Sequence, residues 1–108
     1  MLTDTLERLA TTIHDRRSDP AAKSYTRQLL DGGAERCAKK LGEEAIEVVI
    51  AAVHQSDAAV TAEAADLLYH LLVVLEVRNI ALSDVAAVLE NRIGTSGLDE
   101  KAARNKEA

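Results

Sequence analysis

Two tyrosines are the whole aromatic complement of this chain: Tyr25 and Tyr69 stand alone, with no Phe and no Trp among 108 residues. Aromatic side chains carry much of the buried area of ordinary cores. The core must therefore be built from Ala, Leu, Val and Ile, a set that suits closely packed helices. A single cysteine, Cys37, excludes an intramolecular disulfide framework and a cysteine-based zinc site, and reads as a small buried residue. The only proline, Pro20, and the glycine pair Gly32-Gly33 leave few chain breakers. Basic residues are outnumbered, and the net charge of −5 speaks against nucleic acid, because phosphate backbones call for clustered Lys and Arg. No run approaches the roughly 18 consecutive apolar residues of a membrane span. Asp4 and Glu7, so near the start, do not fit a signal peptide. The expectation is a cytoplasmic protein with neither nucleic-acid nor membrane partner.

What is present is helical pattern almost throughout. Hydrophobic residues make up 47% of the chain, and its mass of 11.6 kDa allows one domain. That domain spans 1–108, with an N-terminal helix and loop over 1–22 and a charged tail over 98–108. Leu2, Leu6, Leu9 and Ile13 recur at helical spacing and predict a first helix from about Thr3 to Arg16, with Asp4 and Glu7 as a capping pair. A polar loop around Pro20 follows. Ser24 to Leu30 reads as one or two turns closed by Asp31-Gly32-Gly33. A long helix over 34–55 and another over 57–78 are joined by a tight connection, with Ser56 and Asp57 as N-caps and Asn79 as a left-handed exit. Ser83 is expected to cap a last helix over 84–92. The fold class is therefore all-α, a bundle of about five helices.

The two long helices form an antiparallel hairpin. After Asp66 the second of them carries Leu67, Leu68, Leu71, Leu72, Val73, Val74, Leu75 and Val77, which wrap most of its circumference. A helix apolar nearly all round must be buried nearly all round. So short a chain has few helices with which to surround it, so a homodimer is expected to complete the bundle.

Chemistry is concentrated in two acidic clusters. Glu43, Glu44 and Glu47 share an arc of about 100° on the first long helix, and Glu63 and Asp66 lie about 60° apart on the second. The hairpin turn falls near Ser56, so Glu47, with Glu44 nearby, can lie opposite Glu63 or Asp66. These acids sit beside apolar residues rather than in a mixed surface pattern, and facing carboxylates repel. Protonation, basic partners or a hard divalent cation would relieve them. An all-oxygen set favours Mg2+, Mn2+ or Ca2+ over zinc, and the helical spacing does not match a calcium-binding loop. Magnesium is commonly shared with substrate phosphates, so a phosphate-bearing substrate is expected. Arg36 and Lys40 lie on the same stripe, with an ordinary Lys40–Glu44 helix pair as the bland alternative. His70 falls about 20° from the Glu63 direction and could orient a carboxylate or touch substrate, or be a core-edge histidine bonded to an acid. Tyr69 reads first as a packing residue. Glu-x-x-His motifs are missing, which removes a di-iron site. Ser24 has no triad partners, and Gly32-Gly33 lacks the rest of a phosphate loop.

Ser24-Tyr25-Thr26, the run Lys39-Lys40-Leu41-Gly42-Glu43-Glu44-Ala45-Ile46-Glu47 and the run from Glu63 through Asp66, Tyr69 and His70 to Val73 resemble phosphoribosyl-ATP pyrophosphohydrolase. Arg92, Ser96-Gly97 and Glu100-Lys101-Ala102 to Arg104 also resemble its C-terminal pattern. The paired acidic motif alone marks the wider all-alpha nucleotide pyrophosphohydrolase superfamily; the Ser-Tyr-Thr, Lys-Lys and Tyr-His elements narrow it. The resemblance implies hydrolysis of phosphoribosyl-ATP to phosphoribosyl-AMP and pyrophosphate, the second step of histidine biosynthesis, by a cytoplasmic, magnesium-dependent homodimer, here in its stand-alone form. Glu44, Glu47, Glu63 and Asp66 would hold Mg2+, with Mn2+ as an alternative, and Glu43 would accept the proton of the attacking water. Lys40, with Ser24, Tyr25, Tyr69, His70, Lys101 and Arg104, would bind substrate. Two rival readings are a house-cleaning nucleoside triphosphate pyrophosphohydrolase, which would share the metal site, and a non-enzymatic helical dimerisation module.

Overall fold

The computed structural model describes residues 2–93 together with 97, 101 and 104. Ser96, Glu100 and Ala102, and the tail over 98–108 apart from Lys101 and Arg104, lie outside the described residues, as do the side chains of Leu2 and Thr3. The described chain is helical: α1 (Leu2–Asp15), α2 (Tyr25–Asp31), α3 (Gly33–His54), α4 (Asp57–Val77) and α5 (Leu82–Arg92).

The helix boundaries follow from local chemistry. Helix α1 starts ahead of Asp4, which therefore sits inside the first turn instead of capping it. There its charge still complements the positive helix end. The expected polar loop holds two short 3-10 turns, Arg16–Ser18 and Ala21–Lys23, on either side of Pro20. Ser24 caps α2, its Oγ accepting from the Arg27 N–H at 3.1 Å. Gly33, the first residue of α3, takes φ +80°, a conformation that costs a residue with Cβ. Ser56 caps α4, its Oγ accepting from the Ala59 N–H at 3.2 Å. Asn79, at φ 58°, closes α4 in a Schellman arrangement: its N–H bonds Glu76 O and the Ile80 N–H bonds Leu75 O. The expected Ser83 cap is not made. Ala81 occupies the cap position without a side-chain bond, and the Asp84 N–H closes the turn on Ala81 O, so Ser83 lies within α5.

Helices α3 and α4 pack along each other most extensively. Ile13 of α1, Leu29 of α2, Cys37 of α3, and Leu72 and Val73 of α4 form the buried core. Cys37 is buried as expected and donates its S–H to Leu29 O. This core occupies the end of the hairpin remote from the 55–56 turn. Toward the turn α3 leaves Ile46, Val49, Ile50 and Val53 exposed, and on α4 Leu68 and Leu71 are each 36% exposed. The burial expected all round α4 is thus not achieved within one chain. By length and average composition α4 is also apolar enough to cross a membrane, with a mean hydropathy of 1.6 over 18 residues. Thr61, Glu63, Asp66 and His70 break the apolar run along it.

Polar contacts fix the core end. Arg17 donates from Nε to the Glu76 carboxylate and from its Nη2 to Glu76 O, while His14 Nδ1 lies 2.7 Å from the same carboxylate. Arg27 donates to Arg17 O, Asp19 O and Asp31. These bonds tie the end of α1 and the start of α2 to the last turn of α4, and so set the height at which α2 meets the hairpin.

Candidate active site

The hairpin brings three of the expected acids to one place. Ligand oxygens of Glu44 on α3 and of Glu63 and Asp66 on α4 all lie within 4.8 Å of one another. Glu44 and Glu63 are half-buried and Asp66 is exposed. On α4 the three-residue spacing puts Glu63 and Asp66 on one face, and the short 55–56 connection sets Glu44 opposite them. Glu47 is exposed and stands outside this tight group, though its charge is felt at Glu63. Burial pushes the Glu63 carboxyl up, and the charges of Asp66, Glu44 and Glu47 push it further in the same direction. Three carboxylates with ligand oxygens this close together match the donor set of a hard divalent ion.

Lys40 and Glu43 form an ion pair at 3.0 Å, one turn along α3. The simple helix pair expected for Lys40 is therefore made with Glu43 rather than Glu44. The hydrogen bond from Lys40 and its charge hold the Glu43 carboxyl below the usual range, and the same pair raises Lys40.

The Ser-Tyr-Thr segment enters from α2. Ser24 is buried and spends its hydroxyl on the α2 cap. Tyr25 is half-exposed and turns its ring edge-on to His70, at 6.3 Å between centroids. Thr26 Oγ1 and the Tyr69 hydroxyl are hydrogen-bonded; burial is the main reason Tyr69 is raised. Thr26 was legible in the sequence only as part of that triplet, not as the partner of Tyr69. Tyr69 packs against the core, as its position on α4 suggested, and lies edge-on to His70 at 5.0 Å. His70 is buried, and its Nε2 sits 3.9 Å from Glu44 Oε1. Lys101 and Arg104 are exposed. The arrangement is an acid cluster with a basic residue one turn before it and a wall of Tyr25, His70 and Tyr69 beside it. Such a site can hold a cation, meet phosphate and enclose part of an organic group.

Comparison with known proteins gives a consistent result. The family described as phosphoribosyl-ATP pyrophosphohydrolase matches residues 6–93. The phosphoribosyl-ATP pyrophosphatase 1 of Bradyrhizobium diazoefficiens is 55% identical over 102 residues, covering 94% of this chain and 96% of the relative. The phosphoribosyl-ATP pyrophosphatase of Jannaschia sp. is 54% identical over 99 residues, 92% of this chain and 97% of that one. The phosphoribosyl-ATP pyrophosphatase 1 of Rhodopseudomonas palustris is 48% identical over 103 residues, 95% of this chain and 96% of its own length.

Proposed function

The chain belongs to the phosphoribosyl-ATP pyrophosphohydrolase family, and we propose that its acid cluster on the α3–α4 hairpin is where phosphoribosyl-ATP is hydrolysed to phosphoribosyl-AMP and pyrophosphate. The protein is a hydrolase of histidine biosynthesis, acting at that second step. The observation that carries the site is the convergence of Glu44, Glu63 and Asp66 within 4.8 Å.

In this reading Glu44, Glu63 and Asp66, joined by Glu47, would hold Mg2+, with Mn2+ able to replace it. The cation would neutralise the triphosphate oxygens and fix their orientation. Lys40 contributes a further positive charge to the phosphates. Glu43 accepts the proton of the attacking water. Lys40 is paired with Glu43 at 3.0 Å, and phosphate that draws Lys40 away would leave the Glu43 carboxylate free to face the water. Water attacks between the α and β phosphates and the pyrophosphate leaves, so catalysis is mainly positioning and charge stabilisation. Tyr25, Tyr69 and His70 form the wall against the organic part of the substrate. Ser24 sets that wall by capping α2. Lys101 and Arg104 are the basic residues of the C-terminal segment assigned to phosphate.

The working unit is proposed to be a homodimer. The exposed Ile46, Val49, Ile50 and Val53 on α3 and the half-covered Leu68 and Leu71 on α4 call for cover. The radius of gyration is 16.1 Å, against about 13 Å for a compact globule of this length. A second hairpin laid on this face supplies the missing layer. The cytoplasm is the compartment that goes with this pathway role, and neither nucleic acid nor membrane is a partner in it.

The test is pyrophosphate release from phosphoribosyl-ATP, with ATP and a panel of deoxynucleoside triphosphates alongside, with magnesium and with excess chelator. Chelator-sensitive release from phosphoribosyl-ATP alone is expected. Release from the plain triphosphates instead would make the protein a house-cleaning pyrophosphohydrolase on the same fold.

A further inference from the structure

His70 is buried to 6% exposure, yet its Nδ1 is closed to solvent and has no hydrogen-bond partner among the described residues. Its other nitrogen, Nε2, faces Glu44 Oε1 at 3.9 Å. The two edges of the ring are thus in opposite situations. A proton on Nδ1 would bury a donor with nothing to accept it, at a cost of about 1–3 kcal/mol. A proton on Nε2 has a carboxylate oxygen 3.9 Å away as its neighbour. Because Nδ1 is inaccessible, substrate cannot reach it while the ring keeps this place. Tyr69 and Tyr25 stand edge-on at 5.0 and 6.3 Å, and Tyr69 is itself fixed through its bond to Thr26. The ring is therefore held by α2 and α4 against a side chain of α3.

We propose that His70 is a positioning residue for the metal-binding carboxylate Glu44: an imidazole carrying its proton on Nε2, whose N–H fixes the carboxylate toward Glu63 and Asp66. The present separation exceeds a hydrogen bond, and a movement of about 1 Å by the Glu44 side chain closes it. Outer-shell donors of this kind orient ligands that would otherwise turn freely, and their loss commonly costs about 10–100-fold in metal affinity or activity. The inference rests on the metal reading of the acid cluster and adds to it the residue that sets the geometry from outside. It also gives the Tyr-His pair on α4 a task distinct from direct substrate contact.

Two measurements on the full-length protein test it. The first is the 15N spectrum of histidine-labelled protein without metal, with His70 signals identified by their loss in His70→Gln. A pyridine-like Nδ1 and a pyrrole-like Nε2 are expected; the opposite tautomer would overturn the pairing with Glu44. The second is Mn2+ affinity without substrate, read by the free-Mn2+ resonance in wild type, His70→Gln and His70→Leu. The Gln amide can restore a donor near the place of Nε2, whereas Leu fills the space without one. His70→Leu should weaken Mn2+ about tenfold or more, and His70→Gln should stay within about threefold of wild type. Equal loss in both variants, together with equal loss of thermal stability, would make His70 a packing residue and sink the proposal. Unchanged affinity in His70→Leu would do the same. A wild-type protein that binds no Mn2+ would instead remove the metal reading itself, and that failure shows before any variant is compared.

Discussion

Arg17 grips Glu76 twice, its Nε on the carboxylate and its Nη2 on the main-chain carbonyl, so one guanidinium both neutralises an acid and bonds a carbonyl in the last turn of α4. Burial pushes the Glu76 carboxyl up, but the hydrogen bonds from Arg17 and His14 and their charges outweigh it and the net shift is downward. The folded state therefore holds fewer protons at this site than the unfolded chain. Its stabilisation is present above the ordinary carboxylate value of about 4.3 and is lost as pH falls through the lowered folded value. Glu76→Gln should cost about 1–2 kcal/mol at pH 7, and the difference from wild type should vanish on strong acidification. Urea unfolding at several pH values checks this.

Glu63 predicts the opposite pH sense. Its carboxyl is raised by burial first and then by Asp66, Glu44 and Glu47. Between the ordinary value of about 4.3 and the raised one the folded state holds the extra proton, so this site's contribution to stability falls as pH rises through that window. Metal-free Glu63→Gln should melt above metal-free wild type at pH 7. That gain should shrink on acidification and reverse when magnesium is added. Thermal melts with and without chelator read both effects.

The exposed α3 face gives a test of assembly. Val49 and Val53 are 61% and 69% exposed in the single chain, so Val49→Glu or Val53→Glu should leave an isolated protomer almost unaffected. In a dimer that buries this face, either change should cost roughly 2 kcal/mol or more of association free energy. Sedimentation at micromolar concentration should find a dimer for wild type and a shift toward monomer for the variants. A sharp monomeric mass for wild type would remove the dimer.

Lys40 and Glu43 should separate kinetically. Lys40→Met removes a phosphate contact and frees Glu43, so KM for phosphoribosyl-ATP should rise about tenfold or more, with a smaller change in kcat. Glu43→Gln should lower kcat by about 100-fold or more, with KM little changed. The reverse pattern would exchange the two roles.

Much of this architecture was legible in the sequence because local chemistry decides it. Ser24 and Ser56 cap the helices they precede, Asn79 takes the left-handed exit, and the acid spacing places Glu63 and Asp66 together on α4, although Glu44 rather than the expected Glu47 is the α3 acid that joins them. The misreadings share a cause, since each depended on what lies across the fold. Ser83 has the right chemistry for a cap, but the Schellman exit of α4 delivers the chain at Ala81 and α5 begins before it. Lys40 has acids three and four residues on, and spacing alone does not choose between them. His70 lies on the Glu63 face of α4, yet its nearest acid is Glu44 on α3, a relation that needs the height of the hairpin. The Thr26–Tyr69 bond likewise joins α2 to α4, segments that periodicity treats separately.

The central claim is that the carboxylates gathered on α3 and α4 carry the hydrolysis, and Asp66 tests it most directly because it is exposed and can be altered with little effect on folding. Pyrophosphate release from phosphoribosyl-ATP should be compared in wild type and Asp66→Asn at saturating magnesium, with circular dichroism confirming equal helicity. A fall of roughly 100-fold or more is expected, with the residual rate insensitive to chelator. A variant that keeps near-wild-type turnover and its magnesium dependence would contradict the account and place the chemistry elsewhere on the chain.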